Sequence, residues 1–173
     1  MMLDIVMYPA PSLAEKCAEV TEITDEIREL AANMTETMYE APGVGVAAPQ
    51  VGRNIRLVVV DPFWGKEQPR NPRVLVNPVV TLLGEEVVSE KEGCLSVPFN
   101  YRADVKRSSR IRLQATDLDG NAIDEEFEDF PAFCIQHECD HLDGILFIDR
   151  IGKLRRALFD SKVKKWLKMK KAD

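Results

Sequence analysis

Residues 134–147 read "CIQHECDHLDGILF", and the fold turns on how this stretch is placed. It holds His137 and His141, the only two histidines in 173 residues. On an α-helix, positions i and i+4 lie on one face a turn apart, so both rings can aim at one cation. Glu138 lies about 100° further round, beside such a cation and not on it, where a general base for an activated water belongs. Pro131 suits the first turn of this helix and Gly144 its end. Cys134, Ile135, Leu142 and Ile145 give it apolar surroundings, which argues against two solvent-facing histidines placed by chance. The stretch predicts a buried metal-binding helix.

Two histidines do not complete a catalytic centre, which normally has three protein ligands and an open position. The HExxH zinc endopeptidases take their third ligand downstream. No histidine and no glutamate follow the motif here; the later acids are Asp143, Asp149, Asp160 and Asp173. Cysteine is the other donor, and the chain has Cys17, Cys94, Cys134 and Cys139. Cys139 sits roughly 200° from His137 and points away. Cys134, one turn back on a similar face, reads best as core. Cys94 lies in "EGCLSVP" (92–98), between a glycine and a strand-like segment closed by Pro98. It can meet the helix from a neighbouring strand and is the favoured third ligand, although spacing alone leaves the choice open.

Working outward, the first helix is expected over "TDEIRELAANMTETMYEAPG", capped by Thr24 and stopped at Pro42–Gly43. Ile27, Leu30, Ala31, Met34 and Met38 form its apolar stripe. "GVGVAAPQVG" (43–52) reads as a small-residue loop; without the Lys-Ser/Thr ending it is no phosphate cradle. Strands follow in "IRLVVV", "RVLVNPVVTLL" and "EEVVSEKEG". "RIRLQATDLDGNAIDEEFE" reads as a hairpin turning at Asp119–Gly120. Residues 145–148 suggest a short extended piece. A last helix from about 153 to 171 presents Phe159, Val163, Trp166 and Leu167. Strands in a run followed by a helix predict an α+β fold, with antiparallel or mixed sheets around the central HExxH helix and a helix toward each end. The whole chain, 1–173, is expected to be one domain.

A hydrophobic fraction of 45% with 30% charged residues is that of a soluble globular protein. The start, "MMLDIVMYPAPSL", has no basic region and carries Asp4 in its apolar run, a poor signal peptide. No run reaches the roughly 18 to 20 apolar residues of a membrane span. A cytoplasmic protein with no membrane partner is expected, its cysteines reduced. The net charge of −6 speaks against a general nucleic-acid binder. That charge is uneven: residues 150–173 carry ten Lys or Arg against Asp160 and Asp173, a local +8 that leaves −14 for the rest. The tail is a solvated helix face or a contact for an anionic surface.

Three segments, "GVGVAAPQVG", "EGCLSVP" and "QHECDHLDG" (136–144), together resemble the signature motifs of peptide deformylases, in the family's order. The resemblance extends over nearly the whole chain and is to the bacterial type with a C-terminal helix. It implies a metallohydrolase that removes the formyl group from N-formyl-methionyl nascent peptides and releases formate. It implies Cys94, His137 and His141 as ligands of one divalent ion, Fe(II) in the cell, with Ni(II), Co(II) or Zn(II) possible in a purified sample. Glu138 would be the general acid/base. Gln50 and the backbone N–H of Leu95 would stabilise the developing oxyanion. Gly45 and its neighbours would pair with the substrate backbone, and Val44, Phe133 and Cys134 would line the methionine pocket. Phe133 is bulkier than the aliphatic residue common there, which narrows the pocket. Arg102 is the nearest match to a substrate-holding arginine. Ribosome contact through the basic C-terminal helix would follow. Against this stand an HExxH endopeptidase, a Cys94 nucleophile with His137 as its base, and an inactive deformylase-like binding protein.

Overall fold

In the computed structural model, which describes residues 1–65 and 68–172, two antiparallel sheets pack around one central helix. The chain runs α1 (Asp25–Glu40), β1 (Gly45–Ala47), β2 (Leu57–Val60), β3 (Arg73–Leu82), β4 (Glu86–Glu92), β5 (Ala103–Ser108), β6 (Arg110–Thr116), β7 (Ala122–Glu128), α2 (Phe130–Leu142) and α3 (Lys153–Ala172). The larger sheet has the order β1-β2-β3-β6-β7, and β4 pairs with β5 in a sheet of two. This is the α+β arrangement that the sequence predicts.

Helix α1 begins where Thr24 Oγ1 accepts the Ile27 N–H, and Asp25 and Glu26 favour its positive end. Its Met34 and Met38 are fully buried against β1 and β2. Each such side chain contributes roughly 1.5–3 kcal/mol relative to exposure. Strand β2 is apolar and buried throughout because helices α1 and α2 both pack on this part of the sheet.

Two segments differ from expectation. Residues 43–52 are not a plain loop. Gly45–Ala47 form β1, paired in register with Val60–Val58, and Ala48–Val51 close a 3-10 turn that ends at Gly52 with φ 87°. Val46, Ala47 and Ala48 are fully buried, so their backbone groups need the strand partner that β2 supplies. Residues 145–148 do not form one extended piece: Leu146 is extended, but Phe147–Arg150 form a 3-10 turn, held where Asp149 Oδ2 accepts the Leu146 N–H at 2.7 Å.

The N-terminal segment ties separate parts together. The Val6 N–H donates to Gln50 O at 2.7 Å, and the Tyr8 N–H to Ser96 O at 2.8 Å. Further along, Asn77 accepts from the Val20 N–H and donates to Val20 O, both at 2.8 Å. Asn77, at φ 50°, marks the register shift between β3 and β6 that precedes Pro78.

Candidate active site

Helix α2 starts with Pro131 in its first turn and ends before Gly144, whose φ is 74°. A Cβ on Gly144 would lie 2.5 Å from Ala14 O, so no other residue lets the chain leave the helix there without displacing Ala14. Because α2 lies between the two sheets, its face at 137 and 141 is enclosed: His137 is 9% exposed and His141 1%. Cys94 follows β4 and reaches this face. Its Sγ is 3.4 Å from His141 Nε2, and the nearest ligand atoms of Cys94, His137 and His141 all lie within 4.8 Å of one another. Cys139 packs instead toward the core of the larger sheet, as its helical angle requires.

A β-bulge sets the second layer. The register of β4 against β5 shifts between Ser89 and Glu92, with Lys91 at φ 52°. The extra residue lets both Ser89 and Glu92 turn inward. Glu92 Oε1 sits 2.9 Å from His137 Nδ1. A carboxylate only accepts, so Nδ1 donates to Glu92, and Nε2 is the nitrogen that would give up its proton to bind a metal. Arg107 donates from Nε and Nη2 to the two oxygens of Glu92, at 2.9 and 2.8 Å, and from Nη1 to Asp140 at 2.6 Å. Arg150 holds Asp140 with two further bonds, at 2.8 and 3.0 Å. Burial would raise the Glu92 pKa, but the hydrogen bonds from Arg107 and His137 and their charges prevail and hold it at about 2.

Glu138 has the opposite environment. Its Oε1 is 3.8 Å from His137 Nε2, and its Oε2 has no hydrogen-bond partner among the described residues. Burial pushes its pKa up to about 7, tempered by the charge of His137. A Cβ at position 45 would stand 2.8 Å from Cγ and Oε1 of Glu138. Gly45 is therefore needed for the Glu138 side chain to lie where it does, a packing reason beyond the backbone pairing expected of it.

Gln50 combines a turn role with a site role. Its Oε1 accepts the Ala47 N–H at 2.9 Å, which fixes the amide so that Nε2 faces Ser96 Oγ at 3.1 Å and Cys94 Sγ at 3.4 Å. A cleft of about 630 Å³ opens above these groups. Val44, Gly45, Leu95, Arg102, Phe133 and Cys134 all line it, so every residue singled out from the sequence as substrate-contacting lies in one cavity.

Glu92, Arg107, Asp140 and Arg150 went unsingled in the sequence. Arg107 had a signal: on β5 it shares the inward face with Ala103 and Val105, an arginine where an apolar residue is due. Gln136 is structural. Its amide pairs with both Ser108 N–H and Ser108 O, at 3.0 and 2.9 Å, and fastens β5 to α2.

A family model described as polypeptide deformylase matches residues 2–157. The chain belongs to the polypeptide deformylase family. The peptide deformylase of Psychrobacter arcticus is 46% identical over 169 residues, which cover 98% of this chain and 90% of that relative. Among solved structures, the Legionella pneumophila peptide deformylase superposes with a TM-score of 0.87 at 33% identity, covering 100% of this chain and 99% of that one. A class I type b peptide deformylase from Acinetobacter baumannii, bound to Met-Ala-Ser, gives a TM-score of 0.79 at 35% identity, over 87% of this chain and 99% of that one. The deformylase relationship thus extends from end to end of the fold and is not confined to the HExxH helix. No described helix is long and apolar enough to cross a membrane.

Proposed function

We propose that the cleft hydrolyses the N-formyl group of formyl-methionyl nascent polypeptides, with Cys94, His137 and His141 holding one divalent ion, Fe(II) in the cell. The observation that carries this reading is the enclosed Cys-His-His triangle with Glu138 beside it on the floor of an open cleft. The donor set fits an ion: one thiol and two imidazoles converge, and the outward nitrogen of His137 is already engaged by Glu92. Once bound, the ion makes a water acidic enough to act near neutral pH and polarises the formyl carbonyl.

The chain's own groups do the rest. Glu138, poised near neutrality by burial, accepts the proton of the attacking water and passes it to the leaving amine. Gln50 Nε2 and the Leu95 N–H donate to the formyl oxygen as charge collects there. Each such donor is typically worth 10²- to 10³-fold in rate, roughly 2.7–4 kcal/mol. Formate leaves, and so does the intact peptide, now with a free amine on its N-terminal methionine.

The peptide lies between two sheet edges. β1 ends the larger sheet, β4 is one of only two strands in the other, and residues 43–45 and 88–93 face each other across the cleft. An extended chain there adds a strand, as peptide-binding edges generally allow. The Met-Ala-Ser bound by the Acinetobacter baumannii relative fits that reading. Val44, Phe133 and Cys134 take the methionine side chain, and Arg102 holds the backbone beyond it. A nascent-chain substrate suits a cytoplasmic enzyme, and the basic outer face of α3 suits contact with the anionic surface of the ribosome.

The third donor is upstream Cys94, not a downstream His or Glu, which sets this centre apart from an HExxH endopeptidase. The test is product analysis with formyl-Met peptides. We expect formate release with no internal cleavage, lost on chelation and restored by Fe(II) or Ni(II) under nitrogen. Internal peptide fragments, or formate release indifferent to the chelator, would overturn the reading.

A further inference from the structure

Helix α3 has an inner face that its basic exterior does not explain. Just past the Cys94 segment, Phe99 and Asn100 stand at φ 68° and 51°. Two consecutive non-glycine residues seldom adopt this left-handed conformation, and it persists only where the surroundings over-determine it. Those surroundings are on α3. The Phe99 ring meets Trp166 edge-on at 5.4 Å and Phe159 at 6.3 Å, with Lys162 Nζ 4.8 Å from its centre. Tyr101 packs on Phe159 at 4.7 Å and stacks on Phe147 at 6.2 Å.

A second route reaches the same segment through the N-terminus. The Tyr8 hydroxyl donates to Asp160 Oδ1 at 2.5 Å and accepts from Arg156 at 3.2 Å, while the Tyr8 N–H holds Ser96 O. The opposite side of this segment is the cleft, which Asn100, Tyr101 and Arg102 line. Arg102 folds over Gly93 and donates to Lys91 O at 3.3 Å.

We propose that α3 is a brace that positions the Asn100–Arg102 rim for the substrate residues beyond methionine, so that selectivity for longer formyl peptides depends on its inner face. This rests on the peptide-cleft reading above. The ligand histidines and Glu138 sit on α2, backed by β4 and β5, and Cys94 packs on the Phe159–Val163 part of the α3 cluster, so a change at Trp166 spares the chemistry at the formyl group. Only a substrate long enough to reach the rim senses the brace.

Trp166 tests this, because it is half-buried at the edge of the cluster, and its loss leaves Phe159 and Val163 seated in the core. The metal-loaded full chain carrying Trp166→Ala is compared with the parent on formyl-methionine amide, which ends at methionine, and on a formyl-Met tetrapeptide. We expect the tetrapeptide KM to rise about three- to tenfold, the size of an indirect coupling, with kcat and the KM for the short substrate unchanged. Trp166→Phe should restore the parent value. An equal KM change for both substrates, or none for either, overturns the brace. A parent chain that releases no formate from either substrate overturns the peptide-cleft reading instead.

Discussion

The two sides of His137 present opposite electrostatic surroundings. Toward β4 stands Glu92, every oxygen of which is occupied by Arg107 or by the ring. Toward the cleft stands Glu138, also buried, with one oxygen left without a partner among the described residues. The first is held at about 2 and the second raised to about 7. Both are glutamates in a low-dielectric interior, so burial alone does not decide their state; the arginine does. A permanently ionised carboxylate is suited to orienting a ligand. One that titrates near neutrality is suited to moving a proton.

Glu138→Gln attacks the mobile side and should have the largest effect. We expect kcat to fall by about 10²- to 10⁴-fold, the usual worth of a general acid/base, with metal content unchanged. A comparable loss of metal would mean that Glu138 is a ligand and that the contrast is wrong. Glu92→Gln attacks the fixed side. Here metal affinity should drop about 10- to 100-fold, and excess metal should recover activity, as for other groups that orient a ligating histidine. Equal affinity in a competition titration would remove Glu92 from that role. Outside the pair, Arg102→Ala should raise the KM for formyl peptides roughly tenfold, the loss of one charge-assisted hydrogen bond. It should leave kcat and metal content alone; a fall in kcat instead would place Arg102 in the chemistry.

What the sequence disclosed follows the same division. His137, Glu138 and His141 were legible because one helix carries them, and helical spacing converts directly into geometry. Cys94 was only favoured, since its approach depends on how a second sheet packs on α2. The Arg107–Glu92 pair was harder still. It needs the bulge at Lys91 to turn Glu92 inward, and no period-two reading of "EEVVSEKEG" anticipates a shift of one residue. Strand β1 was hidden for another reason: glycines and alanines signal a loop locally, whereas here the burial of Val46 and Ala47 imposes pairing. Asn100 is a residue type that tolerates the left-handed region, but nothing in the residue type marks Phe99, whose support comes from α3, far along the chain.

The bonds from Val6 to Gln50 and from Tyr8 to Ser96 also bear on how the enzyme comes into being. They stitch an early segment of this sequence to two segments of the centre, while the histidines of α2 lie much further along the chain. Contacts so distant in sequence close slowly, after loop entropy has been overcome. A growing copy of this chain therefore has no assembled centre until residues through His141 have left the tunnel.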